Sequence, residues 1–87
     1  MTMNERDAID LASINSITVS TDNAVRVKLG GKWVRRTTFR VGRFLVERDD
    51  FTHLWSIVGV SPRTYRRGEA IAECVRLILE ARQDQCE

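Results

Sequence analysis

One histidine, one proline and two cysteines among 87 residues leave little from which to build a familiar catalytic or metal centre. With His53 alone, the usual triad and two-histidine arrangements find no support. Cys74 and Cys86 form no CxxC pair and make no metal-site pattern. Both fall largely along one predicted helix, which would hold them ~18 Å apart, far beyond disulfide reach, so they read as free thiols of a reducing compartment. No glycine loop is shaped to cradle phosphate, since Gly30 and Gly31 are accounted for by a turn. Asp49 and Asp50 resemble a helix N-terminus before they resemble an acid and a base. The expectation is a binding protein with no cofactor and no metal, not an enzyme.

Long apolar runs are also missing. No window approaches the ~18 apolar residues of a membrane span, and the opening MTMNERDAID has no apolar run behind a basic start. The sequence therefore reads as soluble, unexported and cytoplasmic, with no membrane partner. Hydrophobic residues at 43% and charged residues at 30% place it among globular proteins. Its length suits one domain, 1–87, with frayed ends expected at 1–3 and 83–87.

What the chain has in abundance is arginine, and the net charge of +2 hides how it is distributed. Through Val25, Glu5, Asp7, Asp10 and Asp22 stand against Arg6 alone. Residues 26–48 then carry eight basic side chains against only Glu47. Arg63, Arg66 and Arg67 follow, and residues 69–87 turn acidic again. A basic middle between acidic ends says more about partners than the overall charge does.

Apolar spacing gives the elements. Ala8, Leu11 and Ala12 fit a short helix over 4–13, with a capping box from Thr2 to Glu5. Alternation in 17–21 and 25–29 predicts a hairpin, and a three-residue loop at 22–24 keeps its apolar residues together. The same criterion at 30–32 sets Trp33 opposite Leu29 and Arg35 opposite Val27, leaving Arg35 as the odd residue on the apolar side. A two-residue turn at Val41 and Gly42 pairs Phe39 with Phe44 and Arg36 with Glu47. After Asp49 and Asp50, Phe51, Leu54, Trp55 and Val58 fall on one helical stripe ending at Gly59. Ser61 and Pro62 look like a helix start, but the phase of Arg63 and Arg67 predicts a loop over 61–67 and a main helix from about Gly68 to Arg82. Its apolar arc is wider than one sheet face requires, implying either a helix wedged between sheet and helices or a homodimer interface.

The expected fold is α+β: a four-stranded antiparallel β-meander packed by a C-terminal helix, with short helices at the N-terminus and after the last strand. On this register Trp33, Phe39 and Phe44 point inward and do not stack on bases. Arg26, Lys28, Arg36, Arg40 and Arg43 share the outer face, with Thr18, Ser20 and Thr38 beside them. That face suits the phosphates of a nucleic acid, DNA above all, and a β-ribbon fits the major groove. Arg63, Arg66 and Arg67, just before the main helix, extend the candidate site to a second anion-attracting element. The competing expectation is a protein-binding inhibitor or adaptor, such as a phage- or plasmid-borne inhibitor of a host defence complex, docking on a larger protein complex through charged and apolar surface. The plain alternative is a solvated strand surface balanced by nearby acids.

Overall fold

A computed structural model describes residues 4–50, 52–60 and 62–85. In chain order the elements are helix α1 (Glu5–Ile14), strands β1 (Asn23–Leu29), β2 (Lys32–Val41), β3 (Phe44–Arg48), β4 (Trp55–Ile57) and β5 (Thr64–Tyr65), and helix α2 (Arg67–Gln85). The strands form one antiparallel sheet in sequential order, so the fold is α+β as expected, with one strand more and one helix fewer. No helix of the described residues is long and apolar enough to cross a membrane.

Helix α1 starts at Asn4, whose Oδ1 accepts from the Asp7 amide at 2.8 Å, and Glu5 and Asp7 lie where the helix dipole favours acids. Thr2 of the expected capping box lies outside the described residues. The helix stops at Asn15, whose side chain donates to the Leu11 carbonyl, and Ser16 turns the chain at a φ of 59°.

Residues 17–21 do not fold back on 25–29. Val19 instead bridges Val41, the Ser20 amide donates to the Arg40 carbonyl, and the Gly42 amide donates to the Thr18 carbonyl. Three residues, 20–22, then face two, 39 and 40, before regular pairing resumes at Asn23 opposite Thr38. The segment 17–29 is thus one strand-like path along β2, kinked by a bulge-like irregularity. The ten-residue β2 needs a partner along its whole length, and a five-residue strand would leave half of its backbone groups unpaired.

The two-residue loop Gly30-Gly31 corrects the second expectation. Both glycines have positive φ, 57° and 82°, the signature of a type I′ hairpin turn, and Leu29 lies opposite Lys32. Moving the register by one residue turns every side chain of one strand to the other face. Val25, Val27 and Leu29 therefore share a face with Val34 and Arg36, while Arg26 and Lys28 share a face with Arg35 and Trp33. At the next loop Gly42 and Arg43 are the turn residues, pairing Val41 with Phe44 and Phe39 with Val46. That differs from the expected register by a two-residue step, so the faces survive.

The helix expected before Gly59 is a strand. Trp55 and Ile57 are buried and Ser56 is half-buried, an in-out-in alternation that pairs β4 with β3. Four apolar residues at helical spacing over so short a span also occur by chance, and Phe51, one of the four, lies outside the described residues. Asp49 closes a loop instead of capping a helix: its amide donates to the Leu54 carbonyl and its carbonyl accepts from the His53 amide. His53 turns at a φ of 59°. Within the expected loop at 61–67, of which Ser61 lies outside the described residues, Thr64 and Tyr65 add a two-residue edge to β4.

Helix α2 begins one residue before its expected start and continues to Gln85, so 83–85 are helical where fraying was expected. It lies between α1 and the sheet, the first of the two arrangements its wide apolar arc allowed. Ala70, Ile71, Cys74 and Val75 are buried against Ala8 and Ala12 of α1 and against Phe39, Val41, Val46, Trp55 and Ile57 of the sheet. Alanines at the helix contact permit close approach, and the rings of Phe39 and Trp55 meet edge to face at 4.9 Å. Ala72, Ile78 and Leu79 of the same arc pack partly buried against this core. Burial pushes the Cys74 thiol up to about 12, and the charge of Glu73 adds to the shift.

Candidate nucleic-acid interface

β1 packs chiefly on β2, and the helices cover only the far end of β2, where Phe39 and Val41 are buried. The hairpin of β1 and the first half of β2 consequently extends from the body as a two-stranded ribbon, and the molecule measures 49 × 26 × 22 Å. Nothing in the core specifies this hairpin. Its register comes from the Gly30-Gly31 turn and from β-branched residues on both strands.

The two faces of the ribbon differ in chemistry. On the face shared with the helices, Arg26 stands directly opposite Arg35 and Lys28 directly opposite Trp33, with Ala24 and Thr37 paired nearer the body. All four of these larger side chains are exposed, Trp33 at 67% of its full surface. No acid occurs between Asp22 and Glu47. Among the described residues Arg26, Lys28, Lys32 and Arg35 have no ion pair, and Trp33 has no ring or cation contact. The opposite face is mostly apolar, with Val25, Val27, Leu29 and Val34 lying between Lys32 at the turn and Arg36, which lies 3.6 Å from Glu47.

The structure thus divides the eight basic residues expected to act together. Arg26 and Lys28 lie on the Trp33 face, and Arg36 and Arg40 on the other. Arg40 is exposed, its backbone held by the Ser20 side chain and amide. Arg43 occupies the β2–β3 loop, its guanidinium 5.1 Å from the Phe44 ring centre. Arg63 lies over Tyr65 at 5.6 Å, and Arg66 is exposed at the start of α2, where its carbonyl accepts from the Ala70 amide.

Arg67 is committed to the interior of the fold. Its Nε reaches Glu5 and its Nη2 reaches Asp22, each at 2.6 Å, while the guanidinium lies 4.4 Å from the Phe39 ring centre and 5.0 Å from that of Trp55. Burial opposes its charge, yet the hydrogen bonds it donates to Asp22 and Glu5, together with their negative charges, outweigh burial and hold the pKa above the ordinary arginine value. It ties α1, the bulged segment and α2 to the sheet core, which leaves it unsuited to grip a ligand.

Sequence reasoning missed Trp33, Arg35 and Arg48. Trp33 and Arg35 were placed on the apolar side by the three-residue loop, although Gly-Gly between alternating runs is itself a two-residue turn signal. Arg48 lies opposite Trp55 on the helix-side face and is half-buried, and its Nε has no hydrogen-bond partner among the described residues. It lines a cleft of ≈ 480 Å³ at the base of the ribbon with Arg35, Thr37, Ala24, Asp22 and Asp50. Asp22 is already engaged by Arg67.

Comparison with known proteins produced no match: no family model, no curated protein sequence and no solved structure corresponds to this chain.

Proposed function

We propose that this chain is a non-enzymatic nucleic-acid-binding protein whose interface is the protruding basic ribbon, residues 23–38. The observation that carries the reading is the Arg26–Arg35 pair, two cations directly opposite one another on exposed strands with no acid between Asp22 and Glu47 to relieve them. Like charges facing each other across a sheet are destabilising by roughly 0.2–1 kcal/mol. A bound polyanion removes that repulsion and releases its own counterions as it does so. A two-stranded ribbon is also narrow enough to follow a groove or strand that a flat sheet could not enter.

The test is charge reversal on the ribbon. Arg26→Glu with Arg35→Glu should abolish binding of labelled nucleic acid, whereas Arg66→Glu, placed off the ribbon, should weaken it only slightly. Equal losses from the two variants would contradict the reading. Because these side chains are exposed and off the buried core, the variants should keep the wild-type circular dichroism.

A second reading, docking on a larger protein as an inhibitor or adaptor, is favoured by the other ribbon face, where Val25 and Leu29 are 39% and 50% exposed beside Val27 and Val34. There Val25→Ser with Leu29→Ser, and not the arginine reversals, would remove binding.

A further inference from the structure

We propose that the Trp33 face of the ribbon takes single-stranded nucleic acid, with Trp33 stacking on an unpaired base and Lys28, Arg26 and Arg35 holding the adjoining phosphates. This assignment rests on the ribbon being the nucleic-acid interface and names the strand class it accepts.

The largest side chain of the ribbon is also the most exposed of its large hydrophobic residues, and no ring or cation among the described residues covers it. The other tryptophan, Trp55, is buried against Phe39 and serves the core. Around Trp33 the cations are ordered by the pleat. Lys28 is its direct cross-strand partner, and Arg35, two residues along on the same face, is paired with Arg26. Two residues of strand advance about 7 Å, a length comparable to one nucleotide of an extended single strand. A base on Trp33 therefore places the next phosphates beside the Arg26–Arg35 pair. Stacking on an aromatic face tolerates any base, and arginines alongside add backbone contacts without reading sequence.

The face continues inward. Beyond Arg35 come Thr37 and then Arg48, whose buried Nε has no partner among the described residues, in the cleft where the ribbon meets the body. Arg35 and Arg48 bring two guanidinium groups to this cleft, where Asp22 is already engaged by Arg67 and Asp50 is the other acid of the lining. Single-stranded nucleic acid is preferred over a duplex because paired bases are already stacked on their neighbours. Inserting a tryptophan between them costs a few kcal/mol of unstacking per step, whereas an unpaired base offers its face without that cost.

Trp33 fluorescence provides the readout, with buried Trp55 as a nearly constant background. The full chain is titrated with oligothymidylate, with a duplex of equal length, and with inorganic polyphosphate, which carries charge but no bases. Oligothymidylate should quench Trp33 and bind more tightly than the duplex. Trp33→Ala should weaken oligothymidylate binding roughly tenfold and leave polyphosphate binding unchanged. The near-ultraviolet circular dichroism of Trp55 verifies that the variant is folded. Duplex binding equal to or tighter than single-strand binding, with Trp33→Ala neutral, overturns this assignment and leaves the ribbon reading standing. Failure of all three probes to bind overturns both.

Discussion

Truncating Arg67 would strand two carboxylates, Glu5 and Asp22, and uncover the rings of Phe39 and Trp55. Charge-assisted hydrogen bonds and cation–π contact at a partly buried site together make Arg67→Ala cost about 2–3 kcal/mol, read as a lower midpoint in urea. Arg67→Lys should recover only part of this, because an ammonium cannot span both acids as a planar guanidinium does. No shift in midpoint would contradict the role given to this side chain. Cys74 makes a separate prediction at the same scale. Its thiol is pushed up to about 12 in the folded chain from an ordinary value of 9.0, so the folded state holds its proton where the unfolded state releases it. Stability from this group is intact below pH 9 and falls between pH 9 and pH 12. Comparing Cys74→Ala with the wild type in a Cys86→Ser background should show the steeper alkaline loss in the wild type. Equal slopes would contradict it. Cys74 was readable as a core residue from its place in the helical pattern. Arg67 was not, because nothing in a linear pattern says that an arginine at a helix start will lie over two rings brought from elsewhere.

Among the elements, the ribbon should behave differently from the rest of the sheet. β1 and the outer half of β2 have few buried side chains, whereas α2, β3 and β4 surround the core. Amide exchange should therefore be fastest in β1 and residues 32–36, proceeding by opening of the hairpin without global unfolding, and slowest around Ile71 to Val75. Uniform protection across sheet and helix would show that the ribbon is held by contacts beyond its own strands. The two helices and the faces of β2 and β3 were legible because long periodic patterns and buried apolar residues agree, although the β2–β3 register differs by two residues. β4 was misread because Trp55 and Ile57 alternate for only three residues, too few to outweigh an accidental helical stripe. The β1–β2 register was misread because keeping Val25, Val27 and Leu29 buried was allowed to decide a loop that the two glycines decide instead. Turn geometry prevailed where no helix covers the strands.

At the scale of the whole molecule, the body and the ribbon divide the charge between them. Acids of α1 and α2 lie on the body, several engaged locally: Glu5 with Arg67, and Glu73 and Glu80 with Arg76. The ribbon retains Arg26, Lys28, Lys32 and Arg35 with no ion pair among the described residues. This separation was visible in the sequence as a basic middle between acidic ends. Its division into a cationic, tryptophan-bearing face and an apolar face was not, since that depends on a one-residue choice of register. Asp22 and Asp50 line the cleft beside Arg35 at the base of the ribbon, and no acid among the described residues forms an ion pair with Arg26, Lys28, Lys32 or Arg35.

The central claim is that the ribbon binds nucleic acid through its phosphates, and its most direct test is the affinity for a labelled single strand as salt is raised from about 50 to about 200 mM. With the three cations of the Trp33 face, Arg26, Lys28 and Arg35, engaged, the logarithm of the binding constant should fall against the logarithm of salt with a slope of about −2, a loss of roughly twentyfold. Arg26→Glu with Arg35→Glu should flatten that slope. Affinity that does not change with salt, or no binding even at the lower concentration, would contradict the account.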